Sequence, residues 1–150
     1  MSAAASPCPL CPPRPDDCAH WIKICALSVS TLYLDRNQTY RGHCQLVYDK
    51  HVVGLENLSA PELIVLMTDL HRAAQAIRDV CRPDLMNYVS LGNVVPHLHW
   101  HLVPRYTADP RWGMPIYLSN PAEMRVTRLS EDEYLGLTDA LSSRCVAPFP

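Results

Sequence analysis

Residues 97–103 read HLHWHLV and lie between two prolines. Side chains alternate between the two faces of a β-strand, so a strand through this stretch carries three imidazoles on one face, about 7 Å apart. The residues between them are apolar and face the core. The three histidines are His97, His99 and His101. Because histidine is a poor choice for a merely solvated face, the pattern favours a strand whose polar face performs chemistry.

The composition is that of a globular chain with free thiols. The 150 residues suffice for one domain, 48% of them are apolar, and the formal net charge is −2. Such a charge gives no general attraction to nucleic acid or an acidic membrane surface, and no apolar run approaches the ~20 residues of a membrane helix. The cysteines number seven, which is odd, and the chain starts without a secretory signal. We therefore expect a cytoplasmic protein with neither nucleic acid nor membrane as a partner.

Four stretches have the β-branched, aromatic and alternating apolar residues of strands. They are residues 21–34, 43–52, 85–93 and 94–105. The first holds one or two strands, although its first half also fits a short helix, and the second follows closely enough to pair with it as an antiparallel hairpin. Together they predict an antiparallel sheet of about five strands.

One long helix is predicted over residues 60–82. Ser59 and Glu62 form a capping box, Pro61 suits the first turn, and Pro83 ends the helix. Apolar residues recur at helical spacing and form one stripe. They are Leu63, Leu66, Met67, Leu70, Ala74, Ile77 and Cys81. Strands, a long helix and further strands predict an α+β fold.

Two segments flank this core. Residues 1–20 are rich in Pro and Cys and are expected to lack regular structure, residues 21–127 form the domain, and residues 128–150 form a tail. A short helix is predicted within the tail over residues 128–145, where Ser130 is followed three residues later by a glutamate.

Three imidazoles on one strand face fit two kinds of site. Neutral imidazoles bind zinc or iron, or one of them attacks a phosphorus atom while its neighbours hold the substrate. In the second case a backbone carbonyl accepts the Nδ1 proton, and Nε2 carries the attacking lone pair. Water then hydrolyses the labile phosphoramidate. Arg105 is placed either to donate charge-assisted hydrogen bonds to the phosphate or to form a structural ion pair.

The stretch GNVVPHLHWHLVPR, residues 92–105, resembles the motif of the histidine triad (HIT) superfamily, His-x-His-x-His-x-x with apolar x. Its form is similar to HIT-type proteins labelled diadenosine tetraphosphate hydrolases, and the resemblance extends over residues 22–118. It implies a small α+β fold, a homodimer whose two sheets join edge to edge, and hydrolysis or transfer at the α-phosphate of a nucleotide.

The resemblance also implies roles for single residues. His99 is the nucleophile, His101 lies near the α-phosphate, and His97 supports the cluster through a hydrogen bond or a metal. His43, in the stretch RGHCQLV, becomes the fourth active-site histidine.

The nucleotide-binding residues follow in the same way. Asp35, in the stretch YLDRN, binds the ribose hydroxyls, and Leu34 lines the base pocket together with Leu32. The loop before the triad is shortened to GNVVP, so Asn93 is the polar side chain left to touch the phosphate or the leaving group.

Cys8 and Cys11 form a Cys-x-x-Cys pair. Alone it fits a zinc half-site, a redox pair or chance. The resemblance implies that His51 and His97 complete a closed Cys₂His₂ zinc site, which is structural, and that the chemistry needs no cofactor. The alternative is a proline-rich tail with two free thiols.

Three hypotheses about function follow. The first is a hydrolase that acts on a nucleotide substrate, either a dinucleoside polyphosphate or a nucleoside phosphoramidate, through a nucleotidyl-histidine. The second is a metal-dependent enzyme of the cupin type, although its expected carboxylate is distant, since the next acidic residue is Asp109. The third is a nucleotide-binding protein with low turnover, which the shortened loop keeps open.

Overall fold

A computed structural model describes residues 8–109, 111–116 and 125–145. Its centre is a five-stranded antiparallel sheet with the order β1-β2-β3-β5-β4. The strands are β1 (Trp21–Ala26), β2 (Ser30–Asp35), β3 (Cys44–Tyr48), β4 (Leu85–Val89) and β5 (His99–Arg105). The helices are α1 (Ala60–Cys81) and α2 (Glu131–Cys145), and a 3-10 turn spans Leu55–Asn57. The predicted α+β fold is confirmed.

The first predicted stretch forms two strands and no helix. A tight turn joins β1 to β2, and the carboxylate of Asp69 on α1 accepts hydrogen bonds from the backbone N–H groups of Ser28 and Val29, at 3.1 and 2.9 Å. It also accepts one from the Ser30 hydroxyl at 2.7 Å. Asp69 is only 2% exposed, so these three donors replace the water that the carboxylate loses. The buried acid ties the long helix to the first hairpin.

The predicted long helix is confirmed within one residue of its expected end. The Glu62 carboxylate accepts from the backbone N–H of Ser59 at 3.1 Å and from its hydroxyl at 2.7 Å, as expected of a helix start. Arg82 ends α1 in the left-handed conformation, with φ 49°, and its N–H bonds the Arg78 carbonyl. Pro83 follows and disfavours a further helical turn.

Both helices cover one face of the sheet, and the main core lies between the helices and that face. The apolar residues that alternate with the histidines face the core as predicted, because Leu102 and Trp100 pack in it and Leu98 packs against Leu66 of α1. The other buried members of the main core come from the sheet and from both helices. They include Leu32, Leu34, Leu46, Ala73, Ala76, Ile77, Tyr134, Leu137 and Leu141.

The helix expected in the tail is an integral part of the fold. Its start is capped as predicted, since the Glu133 carboxylate accepts from the backbone N–H and the hydroxyl of Ser130 at 2.9 and 3.0 Å. The helix runs for 15 residues and packs on α1 and β1. Cys145 at its end is buried in the main core.

Three strands are shorter than predicted. β3 ends at Tyr48, β4 ends at Val89, and β5 begins only at His99. Pro96 offers no N–H to a partner strand, and the N–H of His97 turns to the Val95 carbonyl at 2.8 Å. His97 therefore lies just before the strand that carries the other two histidines. No helix in the described part of the chain is long and apolar enough to cross a membrane.

Candidate active site

His99 and His101 lie on the sheet face that the helices leave uncovered. β5 pairs with β3 there, so that Val47 is opposite His99 and Gln45 is opposite His101. The rings of the two histidines meet edge to face, with centroids 5.3 Å apart. Strand alternation thus brings together what the sequence pattern predicted for these two residues.

The ring of His99 is held in one tautomer. Its Nδ1 lies 2.6 Å from the carbonyl oxygen of His97. A carbonyl only accepts hydrogen bonds, so Nδ1 carries the proton and Nε2 carries the lone pair. This is the tautomer that nucleophilic attack by Nε2 requires.

His101 and His43 form a second pair of imidazoles. His43 Nε2 lies 3.0 Å from His101 Nδ1, so one of the two rings donates to the other. Burial lowers the pKa of His101 to about 3, helped by the neighbouring His43 and His99, and burial also lowers the pKa of His43. Both rings are therefore neutral at neutral pH.

Asp35 ends β2 beside this pair. Its Oδ2 lies 3.9 Å from His43 Nδ1 and accepts a hydrogen bond from Gln45 Nε2 at 2.6 Å. Its Oδ1 accepts from the backbone N–H of Asn37 at 2.7 Å. The structure therefore brings Asp35 into the histidine cluster, with Gln45 as its close polar partner.

A cavity of about 550 Å³ opens beside the cluster, a volume typical of small-molecule sites. Its polar lining consists of His20, Gln45, Asn93, His99 and His101. Its apolar lining consists of Pro9, Leu10, Trp21, Leu91, Val94 and Val95. The predicted residue Asn93 is thus at the cavity, and residues of the N-terminal segment form part of its wall.

The prediction for Leu34 is wrong. Asp35 faces the histidines, and alternation turns the residue before it to the other face. Leu34 and Leu32 are both fully buried in the core under the helices and do not line the cavity.

Arg105 is not a phosphate ligand, and the alternative of a structural ion pair is confirmed. Its guanidinium is paired with Asp109 at 3.1 Å and donates to the Asn87 side chain at 2.9 Å. It also donates to the carbonyls of Arg111 and Met114, at 2.6 and 3.1 Å. The residue is 2% exposed because the segment after β5 wraps around it.

The N-terminal cysteines meet two histidines. One ligand atom each from Cys8, Cys11, His51 and His97 lie within 4.8 Å of one another. Nδ1 of His97 is 3.4 Å from Cys8 Sγ and 3.7 Å from Cys11 Sγ, while Nδ1 of His51 is 3.3 Å from Cys11 Sγ. Tetrahedral zinc with ordinary bond lengths places S and N ligands about 3.6 Å apart. The cluster therefore fits zinc.

The ring of His97 is oriented for this role. Its Nε2 lies 2.7 Å from the Tyr48 carbonyl, so Nε2 is the donor and Nδ1 presents its lone pair to the two thiols. The ring is fully buried, and burial lowers its pKa. Since His97 faces the cysteines, the three triad imidazoles do not converge on one metal. Ligand atoms of Asp35, His43 and His101 also lie within 4.8 Å of one another, so the metal-dependent hypothesis stays a prediction.

A further anchor on the N-terminal segment escaped the sequence analysis. The Arg14 side chain is 3% exposed and paired with Asp49. It also donates to the Tyr33 hydroxyl at 2.8 Å, to Thr31 Oγ1 at 3.1 Å and to the Leu10 carbonyl at 2.6 Å. No local pattern marks this arginine, because the three residues whose side chains it contacts are 17 to 35 positions away in the sequence.

Gln45 is the second site residue that sequence reasoning missed. It is two positions after His43, which directly precedes β3, so alternation along the extended chain places both on the same face. That signal was available, but a glutamine in a strand has no chemistry that would single it out.

Two curated relatives share sequence with the chain. A HIT-like protein of Mycoplasma genitalium is 28% identical in an alignment of 93 residues that covers 59% of this chain and 66% of that protein. The asymmetrical bis(5'-nucleosyl)-tetraphosphatase of Schizosaccharomyces pombe is 29% identical in an alignment of 86 residues that covers 54% of this chain and 47% of the enzyme. The matched part spans less than two thirds of either relative.

Solved structures are similar to this chain over most of its length. The histidine triad protein blr8122 of Bradyrhizobium japonicum aligns with a TM-score of 0.75 and 26% identity, over 84% of this chain and 91% of that one. A zinc-bound histidine triad protein of Mycobacterium smegmatis aligns with a TM-score of 0.57 and 25% identity, over 84% and 86%. The model of the HIT domain family matches residues 22–108, more than half of the sequence. The chain belongs to the HIT domain family.

Proposed function

We propose that this protein is a hydrolase or transferase that cleaves at the α-phosphate of a dinucleoside polyphosphate or a nucleoside phosphoramidate. One observation carries the proposal: Nδ1 of His99 donates to the His97 carbonyl at 2.6 Å, which leaves a nucleophilic Nε2 on a residue that lines a cavity of about 550 Å³. Membership of the HIT family and the similarity to a tetraphosphatase support the class of substrate.

The reaction takes two displacements at phosphorus. The lone pair on Nε2 of His99 forms a bond to the α-phosphorus while the bond from phosphorus to the leaving group breaks, and the leaving group departs with that electron pair. Water then attacks the same phosphorus and releases a proton to the solvent, and the P–N electron pair returns to Nε2. An amine leaving group takes up its proton from the solvent as well, so the protons balance. Nδ1 keeps its proton throughout and holds it against the His97 carbonyl.

Two neighbours would assist. His101 lines the cavity beside His99, so we infer that its ring contacts the phosphate or the leaving group. Asn93 offers a side-chain amide on the loop before the triad. Because burial keeps His101 and His43 neutral, the negative phosphate does not need to compete with an ion pair inside the cluster.

Trapping the intermediate tests this proposal. The protein is mixed with an α-³²P-labelled dinucleoside tetraphosphate or phosphoramidate, quenched within milliseconds to seconds, and digested for peptide mapping. We expect the label on His99, lost in His99→Ala and kept in His71→Ala, which changes an exposed histidine of α1. Nucleotide binding without any adduct or turnover would instead support the low-turnover binding protein.

We also propose that the cluster of Cys8, Cys11, His51 and His97 holds a structural zinc ion. When bound, zinc would clip the N-terminal segment to the residue that precedes β5, and it would supply no group to the reacting phosphate. Supporting observations are the converging ligand atoms and the tautomer of His97. The remaining five cysteines are free thiols that form no disulfide among the described residues, which fits the proposed cytoplasmic location.

A homodimer through β4 completes the proposal. β4 ends the sheet, and an open edge tends to pair with another chain. Leu85 and Tyr88 on this strand are 51% and 50% exposed. Light scattering should report a dimer for the wild type and a monomer for Leu85→Glu, while Leu135→Glu on α2, beside the opposite edge strand β1, stays dimeric.

A further inference from the structure

We infer that Cys8 and Cys11 form a redox-sensitive pair: hydrogen peroxide joins their sulfurs in a disulfide, and the disulfide form binds nucleotide more weakly. This regulation acts on the cavity of the candidate active site, so it rests on the proposed function and on the structural zinc ion proposed with it. It gives the Cys-x-x-Cys pair a role beyond that of a metal ligand.

The two sulfurs are already close to each other. The backbone N–H of Cys11 donates to the Cys8 carbonyl at 3.1 Å and closes a tight turn. Both Sγ atoms face Nδ1 of His97, at 3.4 and 3.7 Å, and they lie within 4.8 Å of each other. Because a disulfide bond is about 2.05 Å long, the sulfurs need to approach by less than about 3 Å. The turn thus holds both thiols within reach of a disulfide.

Solvent reaches this pair but not the other close pair of thiols. Cys8 and Cys11 are both partly exposed. Cys25 and Cys145 are only 8% and 1% exposed and lie together in the main core. The hydrogen bond with Cys145, together with burial, raises the pKa of the Cys25 thiol. Buried thiols of this kind are inert, so a soluble oxidant should react at Cys8 and Cys11 first.

The oxidation takes two electrons from the two sulfurs. One sulfur attacks an oxygen of hydrogen peroxide, the O–O bond breaks, and the products are a sulfenic acid and water. The second sulfur then attacks the sulfenic sulfur, the S–O bond breaks, and a disulfide and a second water form. The protons that complete the two waters come from the thiols, or from the solvent where the sulfurs are thiolates. A dithiol reductant reverses the reaction by thiol–disulfide exchange.

The disulfide removes two of the four ligand atoms in the N-terminal cluster. Metal binding requires the thiolate form of cysteine, so His51 and His97 alone remain as ligands and affinity for zinc is lost. Pro9 and Leu10, between the two cysteines, line the cavity. Contraction of the turn and loss of the clip therefore shift the apolar wall against which a nucleotide packs.

A second anchor makes this change local and reversible. The Arg14 side chain is 3% exposed and paired with Asp49, and it donates to the Tyr33 hydroxyl at 2.8 Å. These contacts do not involve the cysteines. The N-terminal segment therefore stays attached after oxidation, and reduction can rebuild the turn.

Three measurements on the zinc-loaded wild type test the inference. After titration with hydrogen peroxide, a colorimetric chelator reports released zinc, and mass spectrometry of unreduced peptides identifies the disulfide. Calorimetry reports the affinity for a nucleoside 5′-monophosphate. We expect a Cys8–Cys11 disulfide, release of the zinc, and about 10-fold weaker binding, the effect of losing part of one leucine contact. Dithiothreitol and added zinc should restore the affinity.

Variants show whether this pair is responsible. Cys8→Ser and Cys11→Ser should start with weaker nucleotide binding and show no further loss with peroxide. Cys18→Ser, in the same segment outside the cluster, should respond like the wild type. Thermal melts confirm that each variant is folded. The wild-type cycle of oxidation and reduction needs no variant.

Several results would overturn the inference. They are a first disulfide at Cys25 and Cys145, zinc and both thiols retained in excess peroxide, and an unchanged nucleotide affinity once the Cys8–Cys11 disulfide has formed. A loss of affinity that dithiothreitol does not reverse would equally count against it.

Failure of the proposed function is a distinct result. If the reduced protein binds no nucleotide and forms no adduct on His99, the proposed function fails first. If it binds nucleotide and forms the adduct, but oxidation of the pair leaves the affinity unchanged, only the regulation fails. A reduced protein without zinc would refute the zinc proposal, and the disulfide and affinity measurements would still decide the rest.

Discussion

The chain has histidines in two clusters. The clusters differ in which ring nitrogen donates to a backbone carbonyl and in what the other nitrogen faces. In the N-terminal cluster, Nε2 of His97 donates to the Tyr48 carbonyl, and Nδ1 turns to two thiols. In the cavity, Nδ1 of His99 donates to the His97 carbonyl, and Nε2 is left for chemistry. One backbone carbonyl for each ring thus suits one imidazole to bind a metal and the other to act as a nucleophile.

The two clusters are also joined. The ring of His97 contacts the cysteines, while the backbone carbonyl of His97 fixes the tautomer of His99. Pro9 and Leu10, the two residues between the cysteines, form part of the cavity wall. Substitution of a cysteine in the N-terminal cluster should therefore alter the cavity, whereas substitution of His99 should leave the N-terminal cluster intact.

The largest effect is expected from His99→Ala. Removal of the nucleophile should lower turnover of dinucleoside polyphosphates by about 10³-fold or more, as in other enzymes that form covalent intermediates. Monophosphate affinity measured by calorimetry should change little, and zinc content should not change. Retained turnover would contradict the assignment of the two nitrogens.

The next effect is on stability, from Cys8→Ser and Cys11→Ser. Loss of a structural zinc should remove several kcal/mol of unfolding free energy, about 10 °C in Tm at ~2–4 °C per kcal/mol. Elemental analysis should find one zinc per chain in the wild type and none in either variant, with weaker nucleotide binding. Cys18→Ser is the matched control, since Cys18 lies in the same segment outside the cluster.

Arg14→Ala measures how much of the N-terminal segment is held without the metal. Breaking a buried pair costs about 3–5 kcal/mol, but Asp49 is 36% exposed at its side chain, so we expect about 1–3 kcal/mol in urea unfolding. Arg78→Ala, which breaks the exposed pair with Asp79, should cost less than about 0.5 kcal/mol. Equal costs would mean that the buried arginine is not an anchor.

A further effect is a pH dependence of stability. Burial lowers the pKa of His101 to about 3, so the unfolded chain binds the proton first. Stability is complete above about pH 6.5 and falls as the pH drops from there toward 3, by up to about 1.4 kcal/mol per pH unit. His101→Asn should flatten this slope in urea titrations, whereas His71→Asn on the exposed face of α1 should not.

Periodicity predicted the elements well because each signal is local. The capping boxes at Ser59 and Ser130 mark true helix starts, since a cap and its partner are three residues apart. The alternation of HLHWHLV correctly sends Leu102 to the core and His99 to the opposite face. The same alternation, applied from Asp35, excludes Leu34 from the cavity, so that error was avoidable from the sequence.

Other features had no local signal. The hydrogen bond from the Val29 N–H to the Asp69 carboxylate joins residues 40 positions apart, which only the folded chain makes neighbours. The same holds for Arg14 and its partners on β2 and after β3.

By itself, the sequence determined that imidazoles share a strand face, that the opposite face is apolar, and that two cysteines are three positions apart. These are consequences of fixed spacing along a regular backbone. Only the tertiary structure decided which nitrogen of each imidazole carries its proton and that Gln45 contacts the carboxylate of Asp35. Such choices depend on carbonyls and side chains from distant segments, and local spacing contains no record of them.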